Sequence, residues 1–188
     1  MYLTVADATP QADSSDDAAL MLAYAGGDAG AFEVLYRRHK DALYRYLLRG
    51  CQQPAIAQEM FQDVWQKVIQ SRLRYRAEAP FGAWLYKLAR NRRVDHWRSQ
   101  RPAEPVPESL AAPDAEQPDV AVERAFEARR LLQALAALPD EQREVIVLRE
   151  EQDLTLEQIA QVQGVGRETV KSRLRYALAK LKGVLVDD

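Results

Sequence analysis

The chain has 188 residues, 29% charged and 47% apolar, which is typical of a globular protein with room for one or two small domains. A single cysteine, Cys51, excludes an internal disulfide and a paired-cysteine metal knuckle, and the two histidines, His39 and His96, lack metal-ligand spacing. The net charge of −2 hides a segregation, because residues 18–98 carry fourteen Lys/Arg against seven Asp/Glu, whereas residues 99–122 carry one against five.

No apolar run approaches the roughly 18 residues of a membrane span. The N-terminus, residues 1–17, carries four acids and no base, unlike the basic start of a signal peptide. These features predict a cytoplasmic protein without membrane insertion. Because residues 1–15 are polar and lack periodicity, we expect a disordered N-terminus there.

Four helices are predicted over residues 16–98, and their short connections favour one compact bundle. A short helix covers residues 16–25. Asp28 then caps a long helix that ends at Leu48, where Arg49-Gly50 supplies a C-terminal stop. Pro54 opens a third helix to about Gln70, in which Phe61 and Trp65 form a second apolar stripe beside the core stripe. That second stripe suits either a wide core face or a surface for a partner protein.

The fourth helix, Phe81–Arg98, combines an apolar face with a basic one. Phe81, Trp84, Leu85 and Leu88 follow the i, i+3, i+4, i+7 spacing of a core face. Five Lys/Arg residues crowd the remainder, together with Tyr86 and Trp97. Cations can neutralise phosphates and flat rings can stack on bases, so this face suits a nucleic-acid strand; a merely solvated basic face is the alternative.

The amino-acid composition changes at residue 99. Residues 99–122 hold five of the nine prolines and a charge balance of −4. Such a stretch cannot bury enough apolar surface to fold alone, so we predict a flexible acidic linker. Helical periodicity resumes over residues 123–183, with breaks at Pro139 and at Asp153–Thr155, and residues 184–188 form a tail.

The strongest local pattern lies in residues 154–181, LTLEQIAQVQGVGRETVKSRLRYALAKL. A helix-turn-helix needs a small residue at the helix crossing, a glycine in the turn and an apolar residue in the second helix. Ala160, Gly164 and Val170 meet these demands, and Leu174, Leu178 and Leu181 are predicted to be buried with them. The second helix would point its polar residues toward a DNA major groove. The alternative is a helical hairpin with a charged exposed face.

No nucleophile elbow, phosphate-cradling glycine loop or metal cluster is present in the sequence, so we expect neither an enzyme nor a cofactor or metal.

Taken in order, four stretches resemble the motifs of an extracytoplasmic-function (ECF) sigma factor of the bacterial sigma-70 family. AFEVLYRRHKDALYRYL resembles the first helix of the sigma-2 domain, and AQEMFQDVWQKV resembles its helix that docks on the polymerase clamp. FGAWLYKLARNRRVDHWR resembles the helix that melts and reads the −10 element. ALPDEQREVIVLRE, followed by the helix-turn-helix, resembles the sigma-4 domain.

The resemblance implies an all-α protein whose sigma-2-like bundle (16–98) and sigma-4-like helix-turn-helix domain (123–183) are joined by the flexible acidic linker. Its implied function is that of a dissociable sigma subunit, with promoter DNA and core RNA polymerase, through the β′ clamp and β flap, as partners. An anti-sigma factor is a further expected partner. In the family the last helix reads the −35 element, which implies that role for Arg167, Glu168, Thr169, Lys171, Ser172, Arg173 and Arg175.

The −10 strand would be bound by the fourth helix and by the loop before it, which captures a flipped base in this family. The implied residues are Tyr75, Arg76, Glu78, Ala79, Lys87, Arg90, Asn91, Arg93, Trp97 and Arg98.

The clamp-binding helix departs from the family pattern, which commonly opens with an acidic cluster such as Asp-Ala-Glu-Asp. This chain has Ile56-Ala57-Gln58-Glu59, which retains one acid, and Asp63 follows. Fewer carboxylates should weaken electrostatic steering toward a basic clamp. The implied polymerase-binding residues are Gln58, Glu59, Phe61, Gln62, Asp63 and Trp65.

Two other classes of function stay open on the residues alone. A free-standing helix-turn-helix regulator with a ligand-sensing bundle would bind duplex promoter DNA without polymerase. An adaptor without DNA contact would tolerate the loss of Arg173.

Overall fold

The computed structural model describes residues 14–99 and 129–186. Within these ranges every regular element is an α-helix or a short 3-10 turn, which confirms the predicted all-α class. The first helix begins at Ser14, inside the stretch predicted to be disordered. The remainder of that stretch, nearly all of the predicted linker and the end of the tail lie outside the described residues.

Four helices and one 3-10 turn form the N-terminal bundle. They are α1 (Ser14–Ala25), α2 (Ala29–Cys51), α3 (Pro54–Ser71), the 3-10 turn (Arg72–Arg74) and α4 (Phe81–Ser99). Asp28 caps α2 as predicted, since its carboxylate accepts from the amides of Gly30 and Ala31 at 2.9 and 3.2 Å. Pro54 occupies the first turn of α3, where its missing N–H leaves no donor unpaired.

The predicted stop at Arg49-Gly50 is wrong. Helix α2 continues through Cys51, and Gln52 takes the left-handed conformation (φ 58°), with its N–H donating to the Leu48 carbonyl at 2.7 Å. Gly50 lies inside the helix, where an added Cβ would be 2.5 Å from Cδ of Arg93. The glycine therefore makes room for an arginine of α4 instead of ending the helix.

The core of the bundle contains Phe81 and Leu85 of α4, as predicted, whereas Trp84 and Leu88 are only partly buried. Tyr86, predicted to lie on the open basic face, is fully buried. It is covered by the C-terminal unit, which packs on this side of α4.

That unit comprises helical residues 129–136 (α5), α6 (Asp140–Glu150), α7 (Leu156–Gln163) and α8 (Arg167–Val186). Thr155 and Gln158 form the capping box that opens α7, and Gly164 takes the left-handed turn conformation at φ 67°. Ala160 and Val170 are buried where α7 meets α8, which confirms the predicted helix-turn-helix. Leu178 is 46% exposed, contrary to its predicted burial, because α8 is covered only along the side of Ala177 and Leu181.

The two units share one hydrophobic core, in which Phe81, Leu85 and Tyr86 of α4 join Leu154 and Ile159 of the C-terminal unit. Within the C-terminal unit, helix α7 is the main element packed against α4. Among the described residues, no helix is long and apolar enough to cross a membrane.

Candidate DNA and polymerase interfaces

Helix α8 presents one side to solvent and buries the opposite side against α6 and α7. The exposed residues of its first turns are Arg167, Glu168, Thr169, Lys171 and Arg175, while Ser172 and Arg173 are half-buried. Five of the seven residues predicted to read the −35 element are thus exposed in the first turns of one helix, and the other two are partly covered. The arrangement offers cations and hydrogen-bonding groups to a groove of DNA.

Exposed ion pairs surround the start of α8. Arg167 pairs with Glu157 of α7, and Lys171 lies 3.8 Å from Glu168 on its own helix. A backbone hydrogen bond at Glu157, with Arg167 beside it, lowers the pKa of that carboxyl. These exposed pairs are weak in water, so the arginine and lysine can exchange a carboxylate for a phosphate.

Arg173 has a different environment from the other cations of α8. Its Nη1 donates to Oε1 of Gln163 at 2.7 Å, at the end of α7. Gln163 is buried, and its Nε2 donates in turn to Oε2 of Glu144 at 2.8 Å. The orientation of the Arg173 guanidinium is therefore fixed by a chain of bonds that reaches into the protein.

The loop before α4 is built around a buried tyrosine. The Tyr75 ring packs 5.1 Å from Trp84 and 6.3 Å from Phe81, and its hydroxyl donates to the Ala79 carbonyl at 3.4 Å. Burial raises the pKa of Tyr75, helped by the negative charge of Asp17. Tyr75 therefore shapes the loop from inside, and its ring is not presented to solvent.

The other predicted −10 residues of this loop lie on its outside. Arg76 and Glu78 are exposed, and Ala79 is partly exposed. The Arg76 guanidinium donates to the carbonyls of Tyr75 and Leu73 at 3.1 and 3.4 Å, which holds it against its own loop.

Along α4, the predicted strand-binding residues divide into an open set and a covered set. The open set is Lys87, Asn91, Trp97 and Arg98, all exposed. The covered set is Arg90 and Arg93, which face α6. The structure thus brings only part of the predicted −10 face to the surface.

The covered arginines belong to a buried polar cluster centred on Glu144 of α6. Glu144 Oε1 accepts from the Tyr46 hydroxyl at 2.6 Å and lies 3.3 Å from Arg93 Nη2, and its Oε2 accepts from Arg90 Nε at 3.1 Å. Arg93 also donates to Asp140 at 2.6 Å. Burial and the charge of Glu144 raise the pKa of Tyr46, which keeps its hydroxyl a donor.

The predicted polymerase-binding residues all lie on α3, but their side chains differ in exposure to solvent. Gln58, Glu59 and Gln62 are exposed, and Phe61 and Asp63 are half-buried, whereas Trp65 is 5% exposed. The Trp65 ring contacts Phe32, Tyr36 and Phe61. Trp65 is thus mainly a core residue, and the accessible edge of this aromatic cluster is Tyr36, which periodicity did not single out.

Arg92 of α4 reaches both acids that remain on α3. Its Nη2 lies 2.9 Å from Glu59 Oε1, and its Nε lies 2.6 Å from Asp63 Oδ2. The two carboxylates expected to steer toward a basic partner are therefore already paired within the chain. The sequence could not indicate this, because the partners are 29 and 33 positions apart.

Comparisons with known proteins agree with this architecture. The family models for Sigma-70 region 2 and Sigma-70, region 4 match residues 35–103 and 134–183. The chain is 36% identical over 182 residues to the ECF RNA polymerase sigma factor RpoE of Cereibacter sphaeroides, covering 93% of this chain and 97% of that protein. It is 32% identical over 164 residues to the ECF RNA polymerase sigma factor SigK of Mycobacterium sp. (strain KMS), covering 84% of each.

Two solved structures share the fold with a TM-score of 0.68 each. One is CnrH in complex with the cytosolic domain of CnrY, 25% identical, with 92% of this chain and 99% of that chain covered. The other is the sigma factor RpoE in complex with the anti-sigma factor NepR from Bartonella quintana, 23% identical, with 84% and 98% covered. The chain therefore belongs to the extracytoplasmic-function sigma factors of the sigma-70 family, and it acts as an alternative sigma factor in promoter-specific transcription initiation.

Proposed function

We propose that α8 reads the −35 element in the major groove, that α4 and the loop over residues 75–79 capture the −10 strand, and that α3 docks on the polymerase clamp. The single observation that carries this assignment is the accessible polar side of α8, opposite a buried side of Val170, Ala177 and Leu181. A helix that is fixed on one side and cationic on the other can enter a groove without unfolding its own core.

The −10 assignment is supported by the open set on α4. Lys87 and Arg98 supply positive charge, Asn91 supplies an amide, and the Trp97 ring is 43% exposed. Cations that track a backbone beside a free aromatic face suit a single strand with unstacked bases. Tyr75 contributes by holding the loop from inside.

The polymerase assignment is supported by the exposed polar side of α3, where Gln58 and Gln62 flank the half-buried Phe61. A site of action in the cytoplasm accords with this partner. We also propose that a regulatory protein holds the chain inactive, as an anti-sigma factor does in this family; the complex of CnrH with the cytosolic domain of CnrY supports such a partner.

Reconstituted transcription tests the −35 assignment. Start sites mapped after overexpression would supply the promoter, and core polymerase with purified chain would then be assayed on it. Arg175→Ala is expected to lower promoter output about 10-fold, as for the loss of one base-edge contact of about 1–3 kcal/mol. Lys180→Ala, an exposed cation further along α8, is the matched control and should leave output nearly unchanged.

Equal effects of Arg175→Ala and Lys180→Ala would contradict groove reading by the first turns of α8. Tight, specific binding of the isolated chain to duplex promoter DNA, with no core polymerase present, would instead favour a free-standing helix-turn-helix regulator.

A further inference from the structure

We propose that Gln163, the last residue of α7, is a positioning residue for promoter recognition: it orients the Arg173 guanidinium and so sets the preference of α8 for one base pair of the −35 element. This inference rests on the proposed −35 function of α8. Arg173 makes the base contact, and Gln163 acts through it without touching DNA.

Gln163 carries a polar amide into an apolar part of the C-terminal unit. The residue is 4% exposed, and Ile159, Ala160 and Val162 of the same helix are buried as well. Burial of an amide without hydrogen bonds is costly, so a glutamine at this position is stable only where its partners are in place. The partners of Gln163 therefore define what the side chain does.

Three hydrogen bonds satisfy the amide and fix the direction in which it faces. Its Nε2 donates to the Glu141 carbonyl at 3.1 Å and to Glu144 Oε2 at 2.8 Å. Its Oε1 accepts from Arg173 Nη1 at 2.7 Å. A reversed amide would turn Oε1 toward two oxygen acceptors and Nε2 toward a cationic donor. The surroundings therefore admit one orientation, with the amide oxygen toward α8.

The anchored guanidinium keeps an edge that can read a base. Gln163 takes one of the five N–H groups of an arginine, and among the described residues no other hydrogen bond engages Arg173. The edge formed by Nε and Nη2 carries two parallel donors. O6 and N7 of guanine accept such a pair in the major groove, so we expect the base read through Arg173 to be a guanine.

Anchoring in advance changes specificity more than general affinity. Immobilising a flexible side chain on binding corresponds to roughly a 2- to 10-fold loss of affinity, and Gln163 makes Arg173 meet this cost during folding instead. The benefit is realised only where Arg173 makes its paired contact. A wrong base pair offers no such contact, so the anchor raises the preference for the right one.

Two substitutions remove the amide and keep an apolar body of similar size. They are Gln163→Leu and Gln163→Met, and Gln161→Leu, at an exposed glutamine of the same helix, is the matched control. Glu144 keeps Tyr46 and Arg90 as donors in both variants, so its carboxylate is not left unpaired. Urea unfolding followed by circular dichroism identifies the folded variant that carries the test.

Reconstituted transcription with core polymerase and the full chain measures the preference at each base pair. Output is compared between the mapped promoter and derivatives in which the −35 base pairs are replaced one at a time. Arg173→Ala identifies the base pair read by Arg173, since the preference at that pair is lost. We expect Gln163→Leu and Gln163→Met to lower the preference at the same pair about 5-fold and to leave the other pairs unchanged.

The double variant separates positioning from general support of the fold. Because Gln163 acts through Arg173, the chain with both Gln163→Leu and Arg173→Ala should show the same preferences as Arg173→Ala alone. Gln161→Leu should match the parent chain at every base pair.

The outcomes that overturn the inference differ from those that overturn the −35 function. If Arg173→Ala removes one preference but the Gln163 variants leave it unchanged, sharpen it or lower all preferences equally, only the positioning role is overturned. If Arg173→Ala changes no preference, the positioning role is also overturned, and Arg175→Ala then decides whether α8 reads the −35 element. Unchanged preferences in Arg175→Ala as well would overturn both proposals.

Discussion

Replacing Trp65 by alanine should destabilise the N-terminal bundle as well as alter the polymerase-binding helix. The side chain is 5% exposed, and its ring centroid lies 4.9 Å from that of Tyr36 and 5.7 Å from that of Phe32. Burial of roughly 200 Å² of aromatic surface contributes about 5 kcal/mol at about 25 cal/mol per Å². Because alanine keeps its own Cβ and neighbouring side chains close part of the cavity, a loss of about 3–5 kcal/mol is expected.

Urea unfolding followed by circular dichroism measures this loss, and Gln66→Ala, the exposed neighbour of Trp65 on α3, is the control. Trp65→Phe should cost far less, about 1 kcal/mol, because it keeps the ring contacts and removes an indole N–H that has no partner among the described residues. If the free energy of unfolding of Trp65→Ala lies within about 1 kcal/mol of that of the parent chain, the argument from burial is refuted. Polymerase binding itself is better tested with Gln62→Ala, which leaves the core intact.

Two further predictions concern an ion pair and a turn. Burial tends to raise the pKa of the Asp17 carboxyl, but hydrogen bonds from His39 and Arg38 outweigh it and lower that pKa, so the stabilisation is present at neutral pH and lost as the pH falls below roughly 4. In thermal melts from neutral to acidic pH, the melting temperature of Asp17→Asn should fall less steeply with pH than that of the parent chain. Parallel falls in the two proteins would contradict this. Gly164→Ala, at φ 67°, should lower the free energy of unfolding by about 1 kcal/mol. Gly166→Ala, where the added methyl group meets nothing within 4 Å, should leave the free energy of unfolding nearly unchanged. Equal losses in the two variants would contradict the argument that backbone strain at position 164 causes the effect.

The helix-turn-helix could be predicted from sequence because its determinants are local. The cap at Thr155, the turn at Gly164 and the small residue at Ala160 all act within one or two helical turns of where they stand. Pattern and structure agree at these three positions, whereas Leu178, which the same spacing predicts to be buried, is exposed because nothing covers that side of α8.

The covering of α4 could not be predicted in this way. Arg90 and Arg93 have the charge of solvent-facing residues, and their partners on α6 are 54 and 47 positions away in sequence. A glycine at position 50 is typical of a helix stop, and only the close approach of Arg93 shows that it has a different role here. A local pattern cannot show which surface a second unit will occupy.

The three tryptophans differ in exposure to solvent, so their fluorescence can report on one surface of the protein. Trp65 is enclosed and Trp84 is half-buried, whereas Trp97 is exposed beside the basic residues of α4. Acrylamide in solution should therefore quench mainly the Trp97 emission. A base stacked on that ring would shield it, so loading of a promoter strand could be followed in real time without any attached dye.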